Sequence, residues 1–256
     1  MTPRLSAFEH LLRVRRTRGA GFVVLIDPDK LPVERLGAFA EGCTQAGVDA
    51  FFLGGSLLDV LGLDAYVARL KAASPLPVIG FPGHLTQVVP GLDAVLFLSI
   101  VSGRNPEFLI GQHVYAAPLV RRLGLEAIPT AYMLVESGRP TTAQYMSGSP
   151  PLPRHKPDIA AATALAAEML GMRLLFTDGG SGADEPVPEE MIHAITTTCT
   201  APLVVGGGLR TPSAVASRVA AGAGFVVVGN AFERSPDVGL VAELAAAAHE
   251  AAVVSQ

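Results

Sequence analysis

Val204-Val205-Gly206-Gly207-Gly208-Leu209-Arg210-Thr211-Pro212 passes from a β-branched run through three consecutive glycines into a helix start. Glycine has no Cβ, so such a backbone can approach an anion closely and turn its amide N–H groups inward. Thr211 and Pro212 suit an N-cap and a first helical turn, and a helix N-terminus adds favourable partial charge for a phosphate. A second β-branched run, Phe225 to Val228, ends in Gly229-Asn230. Either glycine turn alone serves a tight turn as well as it serves a ligand. As a pair on successive strand-like runs, they match the loops after the seventh and eighth strands of a (β/α)8 barrel, where such barrels form a phosphate cup.

Working outward from this pair, further apolar runs occur at Phe22 to Ile26, Ala50 to Leu53, Pro77 to Gly80, Ala94 to Leu98, Glu126 to Tyr132 and Arg173 to Thr177. With Leu203 to Val205 and Phe225 to Val228 they make eight, each followed by a longer Ala/Leu-rich segment, the rhythm of βα units on a parallel sheet. Eight strands with helices between predict closure into a TIM-like barrel, a single α/β domain over residues 1–256. An open doubly wound sheet would instead place a glycine-rich turn after the first strand. Asp27-Pro28-Asp29-Lys30 follows Ile26. Residues 4–18 read as an amphipathic helix packed on the domain, since Glu9 and His10 interrupt any signal-peptide apolar centre. Residues 134–157, rich in Ser, Thr, Pro and Gly, read as a lid or substrate loop after the fifth strand.

Composition narrows the function classes. A net charge of −4 with interspersed signs offers no basic face for nucleic acid. Cys43 and Cys199 give neither a disulfide framework nor a zinc site, which fits a reducing cytoplasm. The most apolar stretches are too short to span a bilayer, so contact with a membrane is at most peripheral. None of the histidines shows paired metal-ligand spacing.

Three more loops carry candidate chemistry, because barrel enzymes build their sites at the C-terminal ends of the strands. Phe176-Thr177-Asp178-Gly179-Gly180-Ser181-Gly182-Ala183 puts a carboxylate directly before flexible backbone. Asp178 fits a general base, and equally an Asp that shapes a turn by accepting from nearby amides. Asp27 after the first strand is a hard oxygen ligand suited to magnesium on a diphosphate, while Asp-Pro-Asp also suits a helix cap. Gly54-Gly55-Ser56 after the second strand allows close approach to a ligand, or a turn capped by Ser56.

Taken together, Leu25 to Lys30, Gly54-Gly55-Ser56, Ser102-Gly103-Arg104-Asn105-Pro106, Asp178 to Ala183, Gly206 to Arg210 and Gly229-Asn230 resemble the geranylgeranylglyceryl phosphate synthase family along nearly the whole chain. The resemblance implies a barrel that joins a prenyl diphosphate, geranylgeranyl diphosphate in the first place, to the C3 hydroxyl of sn-glycerol 1-phosphate, with Mg2+ as cofactor and a homodimer as the assembly. It places Asp27 and Ser56 at the metal and diphosphate, and Phe176, Thr177, Asp178, Gly179, Gly180, Ser181 and Gly182 with Gly206, Gly207, Gly208, Gly229 and Asn230 around glycerol phosphate. Asp178 falls on the catalytic carboxylate. The family more often has Glu there, and Tyr two residues earlier where this chain has Phe176. Tyr132, at the end of the fifth strand, is the candidate to supply a phenol instead. The alternatives are another phosphate-binding-barrel isomerase or lyase, and a prenyl-phosphate binder disabled at Phe176 and Asp178.

Overall fold

The apolar runs become the strands β1 (Gly21–Ile26), β2 (Ala50–Leu53), β3 (Val78–Gly80), β4 (Ala94–Ile100), β5 (Glu126–Leu134), β6 (Leu174–Asp178), β7 (Leu203–Gly206) and β8 (Phe225–Val228). The structure, a computed structural model, describes residues 5–59, 61–233 and 237–254. Every strand pairs in parallel with the next, and β8 closes on β1 through Gly21↔Phe225 to Val24↔Val228. Closure buries both faces of each strand, which is why β2, β6, β7 and β8 are buried at every position and read as continuous apolar runs.

The connecting helices are α2 (Val33–Gln45), α3 (Leu63–Ala73), α4 (Gln112–Leu123), α5 (Thr142–Ser147), α6 (Pro157–Met169), α7 (Glu189–Thr198), α8 (Pro212–Ala220), α9 (Asn230–Glu233) and α10 (Val238–Val254), after the N-terminal α1 (Ala7–Arg18). The expectation of a helix after every strand fails once. Between β3 and β4 there is only a 3₁₀ turn, Leu85–Gln87. Pro82, Gly83, Pro90 and Gly91 crowd that connection, and Gly91 has φ +92°, so no helix propagates there. Pairing is thin at the same place. β3 meets β4 only at Ile79↔Ala94 and Gly80↔Val95, whereas all of β4 from Ala94 to Ile100 pairs with β5. The outer face of β4 is therefore covered from one side only, by α4, where Val95 packs with Val120; α4 is entered through a π turn at Glu107–Gly111.

The bottom of the barrel is plugged by α1. Ser6 and Glu9 form a reciprocal capping box that starts this helix, and Arg4 of the expected span lies outside the described residues. Phe8, Leu11 and Val14 join Val23, Phe52, Leu96, Leu174, Phe176 and Phe225 in one interior cluster. The Phe8 amide donates to Glu126 Oε2 at 3.3 Å, and the Arg173 guanidinium lies 4.3 Å over the Phe8 ring. Gly21 leaves the room for this contact, since a Cβ there would meet Phe225 at 2.6 Å and Val14 at 3.0 Å. Buried Asp49 ties the same end together, accepting from the Phe22 amide at 2.9 Å and pairing with Arg18 at 3.1 Å.

Because Leu11 is 1% exposed at the centre of the plug, Leu11→Ala should lower unfolding free energy by about 2–5 kcal/mol. A urea titration measures this, and a loss under 1 kcal/mol would show that the plug carries little of the barrel's stability.

Candidate active site

All eight strand ends converge on one cavity of about 370 Å³ at the C-terminal mouth of the barrel. Its centre is Asp178. The strand β6 runs one residue further than its β-branched content suggests, so this carboxylate projects from the sheet itself, and it is 8% exposed. The Tyr132 hydroxyl donates to Asp178 Oδ2 at 2.5 Å, and the Gly180 amide donates to Oδ1 at 2.7 Å. One oxygen shapes the glycine turn, while the other meets a phenol in the cavity. The register Tyr132↔Phe176 places the two rings side by side on neighbouring strands, edge to face at 5.3 Å. Tyr132 thus brings a phenol to the place where Phe176 has none.

Burial pushes the Asp178 carboxyl above its ordinary value, and the bonds from Tyr132 and Gly180, which favour the ionised form, offset part of that rise. Tyr132 is pushed well above its ordinary value by burial and by the adjacent carboxylate, so it remains a phenol and a donor.

The glycine loops stand around this carboxylate. Gly207 adopts φ +81°, and a Cβ there would lie 2.6 Å from Asp178 Oδ1 and 2.8 Å from the Gly179 and Gly180 amide nitrogens. Only glycine allows the β7 loop to close over the β6 loop this tightly. Gly180, Ser181 and Gly182 from β6, Gly206, Gly207 and Gly208 from β7, and Gly229 and Asn230 after β8 all line the cavity. Ser181 and Asn230 exchange side-chain hydrogen bonds at 3.1–3.2 Å across the two loops. Thr211 caps α8 by accepting from the Ala214 amide, as its sequence position suggests. Thr177 and Gly179 do not line the cavity. Thr177 is fully buried with its hydroxyl towards the Val204 carbonyl, as the alternation of a strand requires of the residue before Asp178. The Gly179 carbonyl accepts from Ser137, which anchors the loop from behind.

On the opposite side of the mouth, Asp27 and Ser56 both line the cavity. Asp27 Oδ1 accepts from the Asp29 amide at 3.1 Å, and Oδ2 lies 3.2 Å from Lys30 Nζ. The helix-cap reading of Asp27 and Ser56 does not hold, because Pro32 begins α2 and Gly62 begins α3, neither with a side-chain cap. Among the described residues no three His, Cys, Asp or Glu side chains gather as a metal cage.

From this mouth the cavity continues along the outer face of β4, lined by Leu85, Val88, Val95, Phe97 and, from α4, Ala116 and Val120. This apolar branch exists because the β3–β4 connection lacks a helix, a feature that the count of eight βα units hid. The long segment after β5 is ordered as a wall of the site. Val135 bridges Leu152, and α5 brings Thr142, Ala143 and Met146 to the cavity. Lys30 and Phe81 also line it, and neither had been singled out as a site residue, although Lys30 adjoins Asp27 in the motif.

Glycine loops, a buried carboxylate and an apolar branch in one mouth define a (β/α)8 barrel with the cavity of an enzyme site, with room for an anion beside an apolar group. Residues 12–247 match the model of the PcrB family, and the chain belongs to that family. It is 47% identical over 241 residues to a geranylgeranylglyceryl phosphate synthase of Chitinophaga pinensis, covering 94% of this chain and 95% of the relative. A synthase of the same description from Pyrococcus abyssi is 44% identical over 84% of this chain and 85% of its own. The structure superposes with a TM-score of 0.91 and 31% identity on (S)-3-O-geranylgeranylglyceryl phosphate synthase of Thermoplasma acidophilum in complex with sn-glycerol-1-phosphate, over 96% of this chain and 100% of that one.

Tyr132→Phe removes a donor to the ionised form of Asp178, so the carboxyl pKa should rise further, as a carboxyl-carbon NMR titration would read. A carboxyl already raised in the folded state binds protons there more readily than in the unfolded chain. Its contribution to stability is therefore greatest at low pH and fades as pH climbs from the ordinary carboxylate value through the folded one. In the variant this fading should extend to higher pH. A midpoint that stays put or falls contradicts the role given to the Tyr132 hydroxyl.

Proposed function

We propose that this chain transfers a long-chain prenyl group, geranylgeranyl first among them, from its diphosphate to the C3 hydroxyl of sn-glycerol 1-phosphate. The observation that carries this reading is the position of Asp178. It stands between a glycine cup that fits a phosphate and an apolar branch that fits a polyprenyl tail, all within one cavity. The names of the relatives and the glycerol phosphate bound to the Thermoplasma acidophilum protein support it.

In this reading the amides of Gly182 and Gly206 to Gly208 hold the phosphate of the acceptor, while the Gly180 amide stays on Asp178 Oδ1, and the acceptor's free hydroxyl is directed towards Asp178. The hydroxyl oxygen attacks C1 of the prenyl chain. The bond from C1 to the diphosphate oxygen breaks, the leaving diphosphate keeps the electron pair, and Asp178 Oδ2 takes the hydroxyl proton. Tyr132 holds that oxygen in place before the transfer. The raised pKa of Asp178 suits a base, since it narrows the gap to a hydroxyl that turns acidic only as the ether bond forms. Asp is one methylene shorter than Glu, and its place on the end of β6, under Gly207, brings the carboxylate into the cavity without the longer arm.

Magnesium fits at Asp27 with Ser56 beside it. Mg2+ keeps several waters and completes its shell with phosphate oxygens, so one carboxylate facing a diphosphate suffices where no protein cage exists. When bound it would stabilise charge developing on the departing diphosphate. Asp27 and Ser56 would orient that diphosphate over the mouth, and the walls from Phe81 to Phe97 would exclude water from C1.

No helix among the described residues is long and apolar enough to cross a membrane. The site asks only for peripheral contact, and we place the protein in the cytoplasm. We also propose a homodimer, formed on the outer face of α4. Val114 and Tyr115 on α4, with Ile110 on the π turn that leads into it, are 60–68% exposed, and Val114 shares a surface hollow with Arg121 and Arg122. Sedimentation should give a dimer, which Val114→Glu dissociates; a clean monomer for the wild-type chain removes this proposal.

The reaction is tested by incubating the protein with magnesium, radiolabelled glycerol 1-phosphate and prenyl diphosphates of graded length. Label should pass into butanol with the wild type and fall at least about a hundredfold in Asp178→Asn, the range expected for loss of a general base. Binding of both substrates without transfer would identify a disabled binder instead.

A further inference from the structure

Among the described residues, the lysines and arginines lining the cavity are Lys30 and Arg210. They stand at different loops. Arg210 follows the β7 glycines and donates to the Ala183 carbonyl at 3.3 Å, on the side given to glycerol phosphate. Lys30 follows β1, with Nζ 3.2 Å from Asp27 Oδ2, on the side given to the diphosphate. The mechanism above uses Asp27 and leaves Lys30 without a task.

We propose that Lys30 serves two anions in turn: it neutralises Asp27 while the donor site is empty, and moves its charge onto the donor's diphosphate once that carboxylate is taken by a metal. This rests on the reading of the Asp27 end as the diphosphate subsite. Asp27 Oδ1 already accepts the Asp29 amide, so Oδ2 is the oxygen for which an arriving cation competes with the ammonium. The Asp27 side chain is 14% exposed, and a carboxylate so enclosed is stabilised by a cation in the resting site. The Lys30 side chain is 41% exposed on a flexible stem, while its backbone amide stays fixed by a 3.0 Å bond to the Asp27 carbonyl. A lysine ammonium is a compact charge with rotatable donors, so it changes partners without moving the loop. A prenyl diphosphate carries more negative charge than one bound divalent ion cancels, and Lys30 supplies the next cation at that subsite. Lys30 is thus a specificity-determining residue for a diphosphate over an uncharged leaving group.

The test uses binding, read in two opposite directions, on the whole chain. Mn2+ is titrated without donor and followed by electron paramagnetic resonance. Inorganic diphosphate is titrated by calorimetry, once with a chelator and once with Mg2+. In Lys30→Met, Mn2+ should bind roughly three- to tenfold tighter, because Asp27 has lost its competitor, and metal-free diphosphate should bind weaker by a similar factor. Lys30→Arg should stay close to wild type in both, and thermal melts read folding separately. A purely structural Lys30 would weaken both titrations together. If wild type binds diphosphate with Mg2+ but Lys30→Met shifts neither titration, or shifts both the same way, the role of Lys30 is overturned alone. If wild type binds no diphosphate even with Mg2+, the reading of the subsite falls and this inference with it.

Discussion

Closure of β8 on β1 is the constraint from which the rest of this structure follows. A closed parallel sheet has no edge to pair and no face to expose, so each strand must be apolar on both sides and its interior must be filled. Phe52, Phe176 and Phe225 do much of that filling, while Phe22 and Phe51 pack on the outer face of the sheet against the helices. The open bottom is the remaining weakness, and α1 covers it with Phe8, Leu11 and Val14. Once the bottom is sealed, polar strand ends collect at the top, where their loops share a single mouth.

The mouth holds opposed demands. Asp178 is buried, which favours its neutral form, yet it is bonded by two donors that favour its ionised form. The balance leaves a carboxyl whose pKa is raised above its ordinary value. The same enclosure that desolvates it is made by Gly207, whose lack of a side chain lets two loops approach within contact of one carboxylate. Chemistry and packing are therefore not separable at this position.

The irregularities of the barrel shape its cavity. A regular barrel would cover the outside of β4 with a helix from the β3–β4 connection. Here a 3₁₀ turn and a two-residue register with β3 leave that face uncovered on one side, and the π turn before α4 forms its other wall. The apolar branch of the cavity is the space a helix would otherwise fill. The segment after β5, with its short helix α5, closes the mouth from the side.

Much of this was legible in the residues. The eight apolar runs, the glycine loops after β6, β7 and β8, and the helix start at Thr211 all follow from local rules, because burial on both faces and the absence of a Cβ act over a few residues. Asp178 and Asp27 stood out for the same reason, each being a carboxylate at the end of an apolar run. Local rules left open whether Asp178 shaped a turn or faced a ligand, and only the folded chain showed that its carboxylate accepts both the Gly180 amide of the turn and the Tyr132 phenol in the cavity. They missed the absent helix after β3, since eight strands imply closure without requiring that each crossover be helical. They also assigned Thr177 to the site, where strand alternation turns it into the wall. The sequence by itself determined which segments are strands and which of them end in glycine loops, since those depend on neighbours in the chain. The tertiary structure alone decided which side chains share the cavity and which of them pair, since those contacts join residues brought together only when the barrel closes.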